Sequence, residues 1–256
     1  MQSLDVGSIA LIGGTGLVAG LVNAIAGGGS LISFPVLVAT GLPAVTANIT
    51  NTVALCPGYF GGAFAQRRDL VGQRSRVMML LPTSLIGGVV GALLLLWTGE
   101  KGFDILVPFL LLFAVALLAF QNQLQAFTMA RKHGAHSETW SIVPVGIAAI
   151  YGGYFGAALG VILLAVLVVV IDDSLIRLNA LKQLISLAVN VSAAVVFLFL
   201  GQIDWTITLV MAIAALVGGA IGGAIASRVP AKLLRWIVIV AGLGMSAVYF
   251  ARLWLD

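Results

Sequence analysis

Apolar residues in this chain come in long unbroken runs, not at alternating or one-sided spacing, and short polar clusters punctuate them. The first run extends from about Val6 to Ala26 and meets Gly27-Gly28-Gly29. Three successive glycines break a helix, because glycine loses the most backbone entropy on ordering. A short run, Ser30 to Thr40, follows, and at 1.5 Å per residue it crosses only about half of a roughly 30 Å hydrocarbon core. After the turn Gly41-Leu42-Pro43, the run Ala44 to Phe64 is polar at its start (Thr46, Asn48, Thr50, Asn51, Thr52) and carries a kink-prone pair, Pro57-Gly58. The basic stretch Arg67-Arg68-Asp69 to Arg76 separates it from runs at Val77 to Trp97 and Ile105 to Phe120, joined through Gly99-Glu100-Lys101-Gly102.

A polar linker, residues 122–140, divides the chain near its middle. Beyond it the pattern recurs. A run from Ile142 meets the glycines of Tyr151-Gly152-Gly153-Tyr154-Phe155-Gly156 and Gly160, and a short run spans Val161 to Ile171. Asp172-Asp173-Ser174 turns into Arg177 and a run through Asn190 to Leu200. Runs at Trp205 to Ala226 and from Arg235 to Trp254 complete the series. Leu85-Ile86-Gly87-Gly88-Val89-Val90-Gly91 matches Leu216-Val217-Gly218-Gly219-Ala220-Ile221-Gly222 at an offset of 131. Near that offset Asn48-Ile49-Thr50-Asn51 falls on Ala180-Leu181-Lys182-Gln183, and Gly58 falls on Asn190.

These patterns predict an all-α integral membrane protein made of two repeats, 1–121 and 141–256, each of about five segments with the second short or re-entrant. Five is odd, so the repeats are expected to have inverted topology. Loop charge agrees: the basic loop at Arg67, Arg68, Arg74 and Arg76 corresponds to Gln202-Ile203-Asp204, which has no basic residue. Placing Arg67, Arg68, Arg74, Arg76, Arg131, Lys132, Arg228, Lys232 and Arg235 inside puts nine of the 13 Lys and Arg in the cytoplasm, with the linker, and both termini outside. The expected location is the cell's inner membrane, crossed many times.

Composition sharpens this reading. The 256 residues are 61% hydrophobic and 9% charged, with a mean hydropathy of +1.15, whereas soluble domains are about a quarter charged. The net charge of +4 sits in short loops and points to the lipid bilayer, not to nucleic acid. No basic residue precedes the first apolar run, so that run is expected to stay as a span and not to be cleaved as a leader. Cys56 has no intramolecular partner, the two histidines of the linker lack neighbours that would complete a metal site, and no phosphate-binding loop is present, so neither cofactor, metal nor ATP drive is expected. The spacings Gly87 to Gly91 and Gly218 to Gly222 allow close helix approach, between the repeats or in a homodimer.

Lys182 is the cation that lies well inside an apolar run. Such a charge is costly and marks a functional site unless it snorkels to the surface beside Arg177. A helix starting at Ser30 presents unpaired N–H groups to anions. A broken helix within lipid needs protein or a wet cavity around its free backbone groups. An anion site is therefore expected between the repeats, built from Gly28, Gly29, Ser30, Asn48, Thr50, Asn51, Lys182, Gln183 and Asn190. Interrupted short segments in matching positions of two inverted halves point to a secondary transporter. No acid lies deep in a run, and an anion moving outward descends the membrane potential without a coupling proton. A membrane-embedded enzyme would need a nucleophile, base or metal cluster at that depth, and none is visible.

The chain resembles the TauE/SafE sulfite exporter family, also called the toluene-sulfonate uptake permeases. The resemblance rests on the glycine cluster with Ser30 and Pro35, on Gly41-Leu42-Pro43 leading to Ala47-Asn48 and Thr50, and on Arg177-Leu178-Asn179-Ala180-Leu181-Lys182 with Asn190. The second glycine cluster departs from the fuller form, with Ala157-Ala158-Leu159 before Gly160. The resemblance implies transport of small sulfur-containing anions, sulfite or organosulfonates, usually outward; the alternative is an importer or channel for another small organic or inorganic anion.

Overall fold

A computed structural model describes residues 5–120, 123, 138–228 and 231–255. Its regular elements are helical: α1 (Val6–Ile25), α2 (Ser30–Ala39), α3 (Ala44–Ala65), α4 (Arg74–Ala119), α5 (Ile142–Tyr154), α6 (Leu159–Val170), α7 (Leu175–Leu200), α8 (Trp205–Ile225) and α9 (Ala231–Leu255), with single 3-10 turns at Arg67–Leu70 and Glu138–Ser141. Apart from residue 123 and the second 3-10 turn, the linker, with Arg131, Lys132 and both histidines, lies outside the described residues.

Helix starts follow local capping chemistry. The Asp5 carboxylate accepts the Ser8 N–H at 2.9 Å, and the Asp204 carboxylate accepts the Ile207 N–H at 3.0 Å. α3 follows Pro43 and is capped from a distance, its Val45 N–H donating to Glu100 at 3.0 Å. α1 and α5 end alike. The Ala26 and Gly27 N–H groups both bond to the Val22 carbonyl, and those of Phe155 and Gly156 both bond to the Tyr151 carbonyl. Gly27 and Gly156 take positive φ, 84° and 75°, the left-handed conformation with which helices commonly stop.

α1, α4, α7 and α8 are long and apolar enough to cross a membrane. A straight α4 of 46 residues would be roughly 69 Å long. Gly99, with φ 64° and ψ −178°, folds it into two limbs, 74–98 and 100–119. The predicted four-residue turn is thus a break at one glycine, and Glu100 is free to cap α3. Large apolar side chains such as Ile86, Phe199 and Ile213 stand on the outside, as a lipid-facing surface requires.

The halves interlock. The first limb of α4 packs on α5 and α7, while α8 packs on α1 and α3. The glycine motifs make these approaches possible. A Cβ on Gly88 would overlap Ser192 and the Val189 carbonyl, and one on Gly219 would overlap the Gly58 carbonyl. These contacts match at an offset of 131 and pair Gly58 with Val189, one residue from the Asn190 expected from the polar runs. The register is set where backbones touch, not where polar composition looks alike. The two helix breaks meet as well: a Cβ on Gly27 would lie 2.7 Å from the Gly160 backbone. Phe34 of α2, Phe103 of α4 and Phe155 pack edge to face beside them at 5.4 to 6.3 Å.

Candidate functional site

The end of α1 leaves carbonyl groups without helical partners, and α7 supplies the donors. Lys182 Nζ donates to the Asn23 carbonyl at 3.3 Å, and Asn179, one turn earlier, donates to the Ala24 carbonyl at 3.3 Å and to Gln66 Oε1 at 2.9 Å. Lys182 is 1% exposed, so it is enclosed by protein and does not reach the surface beside Arg177. Its ammonium has three N–H donors, of which the structure engages one. Among the described residues no other charged side chain is buried.

On the α2 side of the break the Gly29 N–H is held by Asn23 Oδ1 at 2.7 Å. The N–H groups of Leu31, Ile32 and Ser33 bond back to the carbonyls of Gly28 and Gly29. The helix start expected to be open to an anion is therefore partly closed, while the Gly28 and Ser30 N–H groups show no bond among the described residues. A Cβ on Gly29 would overlap the Ala19 carbonyl, which is why glycine stands there. Ser30 and Asn190 lie within hydrogen-bonding reach of the Tyr59 hydroxyl, and Asn190 Nδ2 donates to the Ser186 carbonyl at 2.8 Å. Gln183 is fully buried against Gly62 of α3, with neither amide atom bonded.

The other predicted residues go elsewhere. Asn48 Nδ2 donates to the Tyr154 carbonyl at 2.9 Å, doing for α5 what Asn179 does for α1. This pairing again gives the 131 register, in which Asn48 corresponds to Asn179 and Asn51 to Lys182. Asn51 Oδ1 is buried and unbonded. Thr50 accepts the Asp204 N–H at 3.2 Å and tethers the start of α8. The structure thus joins Gly29, Ser30, Lys182, Gln183 and Asn190 around the first break, puts Asn48 at the second and commits Thr50 to a loop. Sequence reasoning missed Asn23, Asn179, Gln66 and Tyr59. A signal existed for Asn179, since 179 and 182 share a helix face as 48 and 51 do.

An ionic cluster lies near the α7 end of this region. Arg76 pairs with Glu138 at 2.7 Å and with Asp173 at 2.5 Å, and Arg177 pairs with Asp173 at 2.9 Å and bonds to the Val71 carbonyl. Burial pushes the Asp173 carboxyl up, but the hydrogen bonds from Arg177 and Arg76 outweigh it and hold the group down at about 2. Gln73 adds a bond to the Arg177 carbonyl at 3.0 Å. The cluster ties the basic loop of the first half to the α6–α7 turn of the second.

The profile of the family described as sulfite exporter TauE/SafE matches residues 12–249. The chain is 25% identical to "Probable membrane transporter protein ORF9" of Sinorhizobium sp, over 100% of this chain and 99% of that protein. It is 23% identical to "Probable membrane transporter protein YfcA" of Escherichia coli K12, over 90% and 85% of the two chains. A "Probable membrane transporter protein" of Haemophilus influenzae is 26% identical over 95% and 96%. No solved structure matches.

Proposed function

We propose, from the premise that the chain belongs to the sulfite exporter TauE/SafE family, that it exports small sulfur oxyanions or organosulfonates through a site at the first helix break. Membership makes it a multi-pass membrane transporter. The observation that carries the finer reading is Lys182: a cation 1% exposed, beside the start of α2, with one N–H bond among the described residues and two donors to spare. A sulfonate or sulfite head has three oxygens and accepts from several donors at once, and a compact ammonium suits such a head better than a planar guanidinium. The ammonium's bond to the end of α1 lets it hold cargo without being otherwise stranded.

The inverted sense of the halves and placement in the inner membrane belong to the same proposal. They are supported by the alternating loop charge and by the matched contacts of α8 with α1 and α3 and of α4 with α5 and α7. Drive is supplied by the substrate gradient and by the membrane potential, worth about 2.3 kcal/mol per charge per 100 mV for an anion moving outward. No Asp or Glu is buried among the described residues to carry a coupling proton.

Proteoliposome transport of sulfite, sulfoacetate, taurine and acetate tests the reading. Lys182→Gln, purified as a monodisperse protein, is expected to transport the preferred sulfur anion at least about tenfold more slowly, the worth of one hydrogen bond to a charged group. At zero potential a pH gradient is expected to leave the rate unchanged. Undiminished transport by Lys182→Gln moves the site elsewhere, and preference for acetate over every sulfur anion overturns the substrate class.

A further inference from the structure

Asn23, in the last turn of α1 and 2% exposed, has an amide whose orientation is set by chemistry. Its Oδ1 accepts the Gly29 N–H at 2.7 Å, a role its NH2 group cannot fill. Its Nδ2 is consequently presented away from Gly29, buried and without a partner among the described residues. The backbone carbonyl of the same residue accepts Lys182 Nζ. Three acceptors at this helix end are thus engaged: Asn23 Oδ1 by Gly29, the Asn23 carbonyl by Lys182, the Ala24 carbonyl by Asn179. Unsatisfied near them among the described residues are Asn23 Nδ2, Gln66 Nε2 and the remaining ammonium hydrogens, with the unbonded Gln183 amide able to offer either atom. A buried donor left unpaired is costly, so this arrangement calls for a ligand that brings acceptor oxygens and negative charge.

Among the described residues the second break has neither an unpaired amide donor nor a buried cation. The matching bonds to the Val22 and Tyr151 carbonyls place Gly152 where Asn23 stands, so the ends of α1 and α5 correspond two residues short of the 131 offset that holds for the other helices. A Cβ on Gly152 would lie 2.7 Å from the side chain of Leu159, so leucine fills the space that an amide occupies in the first half. The buried unbonded polar atoms there are two acceptors, Asn48 Oδ1 and Asn51 Oδ1, and the Tyr154 hydroxyl, a neutral group that can donate or accept.

We propose that Asn23 is a substrate-binding residue, with Nδ2 and Lys182 Nζ donating to the same oxyanion head, and that the chain binds one anion, at the first break only. This rests on the transport reading above and deepens it.

Asn23→Asp is the decisive variant, because it is nearly isosteric. One carboxylate oxygen still accepts the Gly29 N–H, while the other replaces the NH2 donor with a negative acceptor next to Lys182. The probes are sodium sulfite and sodium methanesulfonate against sodium chloride at equal ionic strength, read by thermal stabilisation and calorimetry in detergent. Wild type is expected to bind one anion per chain. Asn23→Asp is expected to stay folded without ligand, its carboxylate pairing with Lys182, and to lose the anion-induced shift, with affinity down about tenfold or more. Asn23→Ser, whose short hydroxyl replaces the amide, is read if the aspartate variant does not fold, and the same loss is expected. Wild-type affinity in whichever variant folds overturns the role of Asn23 while leaving Lys182 and the transport reading standing. Two anions per wild-type chain overturn the single site. If neither probe stabilises wild type, the transport reading fails and the assignment of Asn23 fails with it.

Discussion

Glycine illustrates how differently one residue type behaves at different positions of this chain. Gly160, near the start of α6, has an ordinary helical backbone, so alanine there has no conformational penalty. Its Cβ would nevertheless lie 2.6 Å from Gly27 Cα, where the two breaks touch. Gly14, in the middle of α1, has nothing within 4 Å of the place an added methyl would take. Gly160→Ala is expected to destabilise by about 1–3 kcal/mol through overpacking, and Gly14→Ala to stabilise by roughly 0.5–1 kcal/mol through helix propensity. Thermal melting of the two variants in detergent, side by side, checks both signs. If both stabilise, the breaks are not in contact.

Among elements, the α6–α7 turn is joined to the start of α4 through Asp173, whose side chain is 15% exposed and which bridges Arg76 and Arg177. Its carboxyl is lowered from 3.8 to about 2 by those partners. A depressed carboxyl contributes stability that is present in full above its unfolded value and is lost as pH falls through its folded one. Asp173→Asn is therefore expected to lower the melting temperature at neutral pH by a few degrees, on the order of 1 kcal/mol for pairs still partly in solvent. The gap to wild type should hold down to about pH 4 and close as pH approaches 2. Melting curves of both proteins across that range, with Arg76→Gln and the double variant to show non-additivity, are the check. A gap that persists unchanged at the acid end means that Asp173 acts through shape and not charge.

At the scale of the whole molecule, the interlocked packing of α8 on the first half and α4 on the second makes neither half an independent body. The asymmetry of loop charge predicts an orientation: tags at either terminus are expected to report the outer side, and a tag in the 122–140 linker the cytoplasm. Reporter fusions at the three sites decide it. Cytoplasmic termini would reverse the orientation while leaving the contacts among helices untouched.

Much of the architecture was determined by sequence alone, because its causes are local. Apolar runs bounded by glycine, proline and charge placed the helices close to their observed limits, and Gly27-Gly28-Gly29 marked the first break through backbone entropy. Lys182 stood out because a charge inside an apolar run is costly wherever the run is packed. Tertiary structure decided what those features touch. Asn23 reads in sequence as one amide in an apolar helix, and only the return of α2 and the approach of α7, with Lys182 159 positions away, turn it into the joint between the break and the cation. Thr50 looked equivalent to Asn51 by composition, yet lies about 100° from it around the helix and is taken by Asp204. The one-residue shift of the repeat register has the same origin. Polar runs tolerate a slip, whereas a glycine pressed on a neighbouring backbone, as Gly219 is on Gly58, does not.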